Sequence, residues 1–199
     1  MRSVVMFLAL VLAAPVLAAA PASPQVLDDC DRLAANPPDP DRVTVGVERP
    51  DVDLPKAIAA CKAAVAAHPD VPRFSYQLGR VLFYDNQVDP ALKSFNRAAE
   101  LNYRQAKFMV GMLMTRKYAG VPQDDCRVAQ LWIAAAKQQH FNAAVSYVRD
   151  RLHGRFKGCA AQATKEDMQT FLKESAGRAG YLGDFLVEDL QAQLMTWKG

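Results

Sequence analysis

Residues 76–98 read YQLGRVLFYDNQVDPALKSFNRA, and the fold turns on how they are parsed. Two helix-period apolar runs flank a polar break at Asp85-Asn86-Gln87. Leu78-Gly79 lies in the first run. In the second, Ala91, Phe95 and Ala98 stand at i, i+4 and i+7, which is one face of a helix. The same offsets occur 34 residues upstream, as Ala57, Cys61 and Ala64, and 38 residues downstream, as Ala129, Ile133 and Ala136. Such steps are expected of helical hairpin repeats. Val110-Gly111 precedes the third trio much as Leu78-Gly79 precedes the second. Glycine inside a helix costs about 1 kcal/mol relative to alanine, so both predict close approach of a neighbouring helix. One such match is unremarkable in an alanine-rich chain; several at matched offsets are not.

Outward from this centre, the pattern predicts helices near 54–67, 73–85, 89–101, 103–117, 125–139, 142–153, 165–177 and 183–196. A short helix near 26–35 precedes them. Asp53, Asp89-Pro90 and Thr164 with Asp167 supply start signals, and Ala119-Gly120-Val121-Pro122 and Gly154 to Cys159 read as loops. Asn36 to Asp53 reads as a Pro-rich linker, with Val43-Thr44-Val45 as its one brief extended run. The expected organisation is a signal peptide over 1–22, an N-terminal helix and linker over 23–53, repeats over 54–158 and capping helices over 159–199. Phe185, Leu186, Leu190 and Leu194 are expected to cover the open end, and Trp197 to close it.

The chain's 199 residues suit one domain or a short repeat array, and with 51% hydrophobic and 23% charged residues a disordered tail is excluded. Charge is uneven: residues 101–160 hold ten Lys and Arg against three Asp and Glu, while residues 21–100 hold nine against twelve. A basic middle can draw an anionic polymer, a lipid surface or an acidic partner. A solvated helix face is the preferred reading.

Residues 1–22 begin with Arg2, continue as an apolar run from Val4 to Leu12, and end in Ala18-Ala19-Ala20-Pro21-Ala22. That order predicts a secretory signal peptide, with a run shorter than the ~20 residues needed to span a bilayer. The mature chain is then expected in the periplasm or outside the cell, without an integral membrane segment. Export also removes nucleic acid from the expected partners. All four cysteines, Cys30, Cys61, Cys126 and Cys159, follow the signal, so two disulfides are expected, with three connectivities open. Their spacings of 31, 65 and 33 residues contain no close pair, so neither zinc nor another metal is expected, and no cofactor.

Tyr76 to Ala98 is similar to a tetratricopeptide repeat. The next unit carries a longer inter-helix loop, Gly120-Val121-Pro122-Gln123-Asp124, ahead of Ala129, Trp132 and Ala135-Ala136. That resembles the Sel-one-like repeat. The likeness covers residues 54–144, and in a third unit Arg149 stands where the helix glycine would fall. The resemblance implies an all-α superhelix, a short right-handed solenoid of antiparallel helix hairpins. In such hairpins the start of one helix lies beside the end of the next, which favours Cys30–Cys61 and Cys126–Cys159. It also implies a concave groove lined by the first helix of each pair: Arg73, Tyr76, Arg80 and Phe83, then Gln105, Phe108, Met112 and Thr115, with Ser146, Asp150 and His153 from the third unit. Tyr76, Phe108 and Met112 fit a buried core equally well. Arg73 and Arg80 are expected to tolerate charge reversal with little change in melting temperature.

Catalytic patterns are absent. Ser75 and Ser94 do not open an S-x-x-K motif, and there is no G-x-S-x-G, H-E-x-x-H, Walker loop or G-x-G-x-x-G. His68, His140 and His153 fall at expected helix ends, where charged caps of the last carbonyls are the simpler role. Asp124-Asp125 reads as a helix cap. The resemblance therefore implies a non-enzymatic scaffold or adaptor binding a peptide or protein partner in the cell envelope. Two alternatives are kept: a cell-wall or β-lactam-binding protein with weak hydrolase activity, and a periplasmic regulatory subunit of a membrane sensor.

Overall fold

The computed structural model describes residues 27–118 and 120–199; the segment read as a signal peptide, and Ala119, lie outside the described residues. The described chain is all-α, a stack of antiparallel helices without a strand: α1 (Asp29–Ala34), α2 (Leu54–Ala67), α3 (Pro72–Tyr84), α4 (Val88–Glu100), α5 (Arg104–Thr115), α6 (Asp125–Lys137), α7 (Phe141–Leu152), α8 (Lys165–Ser175) and α9 (Gly180–Thr196). Each packs on its sequence neighbour, and α1 also reaches α3 while α7 reaches α9. No helix among the described residues is long and apolar enough to cross a membrane.

Local chemistry explains the boundaries. Asp53 accepts from the Lys56 amide and Asp124 from the Arg127 amide, each offering its side chain to an otherwise unpaired N–H of the first turn. Thr164 and Asp167 form a reciprocal capping box at α8. The ends repeat more strictly than the starts. After α3, α4, α6 and α7 a residue with positive φ follows the last turn: Asn86, Asn102, Gln139 and Gly154. The next amide then donates back five residues, Gln87 to Leu82, Tyr103 to Ala98, His140 to Ala135 and Arg155 to Asp150, at 2.9–3.1 Å. These four near-identical turns reverse the chain tightly and impose hairpin geometry.

The two helix glycines stand where close approach requires them. A Cβ on Gly79 would lie 2.7 Å from the Phe95 ring, and one on Gly111 would overlap the Trp132 indole. Thus α3 meets α4, and α5 meets α6, through an aromatic ring seated on bare backbone. Phe95 is fully buried in an N-terminal core with Ala91, Val81 and Val110. Trp132 belongs to a second core with Tyr147, Phe156, Met168, Phe171 and Leu172.

Two disulfides staple the stack, Cys30–Cys61 between α1 and α2 and Cys126–Cys159 between α6 and the loop after α7, with Cα separations of 4.6 and 5.1 Å. At the C-terminal end Leu190 and Leu194 are buried, Leu186 is partly covered, and Trp197 packs on the second core beneath Arg151. Phe185 departs from its expected covering role: it is 63% exposed, because α9 turns Val187, Leu190 and Leu194 inward instead. The stretch expected to be a linker also differs. Residues 36–48 are packed against the helices, and Val43-Thr44 is a bend, not an extended run, where the Thr44 hydroxyl donates to the Asp31 carbonyl at 2.6 Å.

Candidate functional site

The polar chemistry of the molecule converges where the first helices of the hairpins meet the N-terminal segment. On α3, Arg73, Gln77, Arg80 and Tyr84 follow at i, i+4, i+7 and i+11, a polar stripe along an otherwise apolar helix. Such a stripe would ordinarily face water. Here Gln77 and Arg80 are almost wholly buried, because the end of α1 and the irregular, turn-containing loop after it, residues 31–47, lie across them as a strap.

The strap is gripped in order along its length. Asp31, fully buried, accepts from Arg73 Nε at 2.9 Å and from Gln77 Nε2 at 3.0 Å. Its second oxygen accepts from the Asp28 amide and from the other arm of Arg73. Arg80 donates to three main-chain carbonyls, those of Ala34, Ala35 and Val47, at 2.5–3.0 Å. Asn36 donates to the Tyr76 hydroxyl at 2.7 Å. The Tyr103 hydroxyl donates to Asp39 at 2.7 Å, and Arg104 makes a two-pronged pair with Asp41 at 2.7 and 2.8 Å. Guanidinium forks matched to planar carboxylates and carbonyls give these contacts their geometry.

Burial shapes the titration of this surface. Asp39 is pushed up to about 6 by loss of water, offset in part by the Asp41 amide and Tyr103 hydroxyl that donate to it. Its neighbour Asp41 adds to the rise and Arg104 opposes it. Tyr76 and Tyr103 are held above the ordinary phenol range, mainly by burial and then by the Asp39 charge. His140 is pushed down to about 4 by burial, with Arg104 adding to the effect.

The expectation for His140 is therefore corrected. It is the N-cap of α7, not a charged C-terminal cap: Nδ1 accepts from the Ala143 amide, and Nε2 faces Gln105 Oε1 at 2.7 Å. His68 and His153 do stand at the C-terminal ends of α2 and α7.

The residues expected to line an open groove divide into three groups. Arg73, Tyr76 and Arg80 are already engaged by the strap, and Gln105 beside them is buried against His140. Phe83 and Phe108 are half-buried in packing, Phe83 edge-on to Tyr118 and Phe108 stacked between Trp132 and His140. Met112 bridges the two cores, and Thr115 bonds only to the Met112 carbonyl in its own helix. In the third unit Asp150 pairs with Arg149 and Arg155, His153 is exposed, and Ser146 is half-buried. The chain itself thus covers Arg73, Tyr76 and Arg80, three of the eight first-named positions. Charge reversal at Arg80 cannot be thermally neutral: it would leave three carbonyls without their donor and place a carboxylate against them.

Space remains beside the strap. A cavity of about 460 Å³ is lined by Asp41, Arg73, Asn102, Tyr103, Arg104 and Gln138. A second, about 310 Å³, lies between Pro38 and Pro40 of the strap and His140, Phe141 and Arg178. Among the described residues no group of three or more His, Cys, Asp or Glu is placed to hold a metal ion, and no cysteine is free.

Gln77, Tyr103, Arg104 and His140 were not expected in the site, nor were Asp31, Asn36, Asp39 and Asp41. One signal does point to them. Residues 28–53 contain eight Asp and Glu, and a segment so acidic beside a polar stripe on α3 is a complementary pair. Neither the protein-family models nor the curated proteins yield a match to this chain.

Proposed function

We propose that the protein is an exported, non-enzymatic interaction module of Sel-one-like and tetratricopeptide-like type, holding a peptide or protein partner of the cell envelope on its concave face. One observation supports this reading above the others: Arg80 grips three main-chain carbonyls of the strap, at the end of α1 and on its returning limb, while Arg73, Tyr103 and Arg104 read carboxylates along it. A face that holds a chain segment by its backbone carbonyls and its acids has the chemistry of a peptide site. Export fits the two disulfides, which persist in oxidising compartments.

Crosslinking and affinity capture from envelope fractions tests the proposal. The expected result is a partner whose recovery falls at least fivefold with Arg104→Gln, a substitution at the rim of the larger cavity. Recovery that is unchanged would remove the concave face from the reading. Turnover of a chromogenic β-lactam by purified chain, surviving contaminant controls, would replace it with the hydrolase alternative.

A further inference from the structure

The strap is an unusual constituent of a helical stack. The N-terminal core is mainly alanine, aliphatic and aromatic side chains with the Cys30–Cys61 bridge, whereas the strap, beyond its buried Ala34 and Ala35, is attached through carboxylates, carbonyls and amides. Over 36–48 it has no regular secondary structure, and a single backbone bond, Val47 amide to Ala35 carbonyl at 2.8 Å, ties its two limbs. Its inward-facing acids are Asp31, Asp39 and Asp41, and the groups that receive them belong to α3, to α5 and to Tyr103 just before α5. This is the arrangement of a bound ligand, supplied in cis.

We propose that residues 31–47 are a tethered surrogate ligand, and that the natural occupant of the concave face is an acidic segment of a partner protein that enters by displacing them. The inference rests on the reading of that face as the partner site and adds the partner's chemistry. The pattern is legible: one carboxylate for Arg73 and Gln77, three carbonyls for Arg80 (Ala34, Ala35 and, on the returning limb, Val47), and two carboxylates, two residues apart, for Tyr103 and Arg104. Because most of the grip is on backbone and acids, a partner needs an Asp- or Glu-bearing run, not one specific sequence.

Tethering explains why the face is filled at rest. Cys30 is bonded to Cys61 on α2, and the strap's other end runs into α2 at Leu54, so both ends are covalently anchored. An intramolecular occupant competes at high effective concentration. Val45, just past the bend, is 88% exposed, so displacing the middle of the strap with both anchors intact uncovers little there. The cavity beside Asp41, Arg73 and Arg104 gives an incoming acid a place to engage before the strap leaves.

The test uses the full mature chain and a fluorescent peptide of residues 28–48 carrying Cys30→Ser. Wild type is expected to bind it weakly, and D31N/D41N, whose strap has lost two carboxylates, at least tenfold more tightly by anisotropy. A peptide with its three inward aspartates changed to asparagine should bind at least tenfold more weakly, as should Arg104→Gln in the D31N/D41N background. Equal binding of acidic and neutral peptides overturns the inference, as does absence of binding to D31N/D41N. Exchange of straps between two copies, seen as dimers without peptide binding, overturns it too. If D31N/D41N does not fold, wild type cut at a protease site inserted after Val45 takes its place, with the same expected gain. Envelope capture separates the two levels: a partner retained by wild type but indifferent to competing strap peptide sinks the surrogate while leaving the interaction module standing.

Discussion

The two halves of the molecule solve one problem with opposite chemistry. Each stacks helix hairpins, each is closed by one disulfide, and each buries a tyrosine on the first helix of a pair, Tyr76 on α3 and Tyr147 on α7. Each then covers that tyrosine with irregular chain. In the C-terminal half the cover is the stretch after α7, where Phe156 stacks on the Tyr147 ring at 5.2 Å and the Ala163 amide donates to its hydroxyl. In the N-terminal half the cover is the polar strap, with Asn36 on the Tyr76 hydroxyl and Arg80 on three carbonyls. An apolar cover cannot lift without exposing core to water. A polar one exchanges its partners for water at smaller net loss. The first half is built like an occupied interface, the second like the interior of a domain.

The sharpest way to break that comparison is to truncate each cover. Phe156→Ala should cost about 3–5 kcal/mol in urea unfolding, since the ring is fully buried. Arg80→Ala should cost about 2–3 kcal/mol, because a loosened strap lets water satisfy the freed carbonyls. An Arg80→Ala loss equal to that of Phe156→Ala would make the strap an ordinary core element.

Next come the bridges. Removing either pair by double serine substitution should lower stability by about 3–4 kcal/mol on the loop-entropy view. Access separates them: Cys126 is exposed, whereas Cys30 and Cys61 are fully buried. Under mild native reduction, alkylation should mark Cys126 and Cys159 first. Earlier labelling of Cys30 would mean that the N-terminal half opens more readily than its covalent anchoring implies.

Acid offers a subtler probe. Asp39, raised to about 6, holds a proton in the folded state that an unfolded carboxyl near 3.8 does not, so its contribution grows as pH falls through 6. His140, lowered to about 4, refuses a proton that an unfolded imidazole takes below 6.5, so stability is lost as pH falls toward 4. Each slope is about 1.4 kcal/mol per unit at full strength, and between pH 6 and 4 they oppose. Asp39→Asn removes the stabilising one. Its stability relative to wild type should fall by about 2–3 kcal/mol from pH 7 to 4, read by denaturant titration at both values. A pH-independent difference would place Asp39 in water and loosen the strap assignment.

The smallest expected effect tests what the halves share. Gly79→Ala and Gly111→Ala should each cost about 1–3 kcal/mol through overpacking, on Phe95 and Trp132 respectively. A thermal shift larger for one than the other would show which hairpin has less room to adjust.

Much of the helical frame was legible in the chain because its signals are local. The i, i+4, i+7 trios, the helix glycines, and the caps at Asp53, Asp124 and Thr164 each act within a turn or between adjacent helices, and α2 spans the expected 54–67. The positive-φ turns at Asn86, Asn102 and Gln139 were less visible, since a non-glycine residue at such a position carries no strong pattern. The site was less legible still. Arg73, Tyr76 and Arg80 were legible as candidate partner-groove residues, but the strap that engages them was not. Asp31 and Arg73 are 42 residues apart, and Asp41 and Arg104 are 63 apart.

Periodicity and small-residue spacing by themselves determined that this chain would form paired helices, and how those helices would meet. Only the tertiary arrangement decided that a proline-rich run of residues would lie down on the polar stripe of α3 and α5. The physical reason is range. Helix formation and hairpin packing are decided by neighbours along the chain, whereas a carboxylate's choice between water and a distant guanidinium depends on which surfaces the assembled stack brings together.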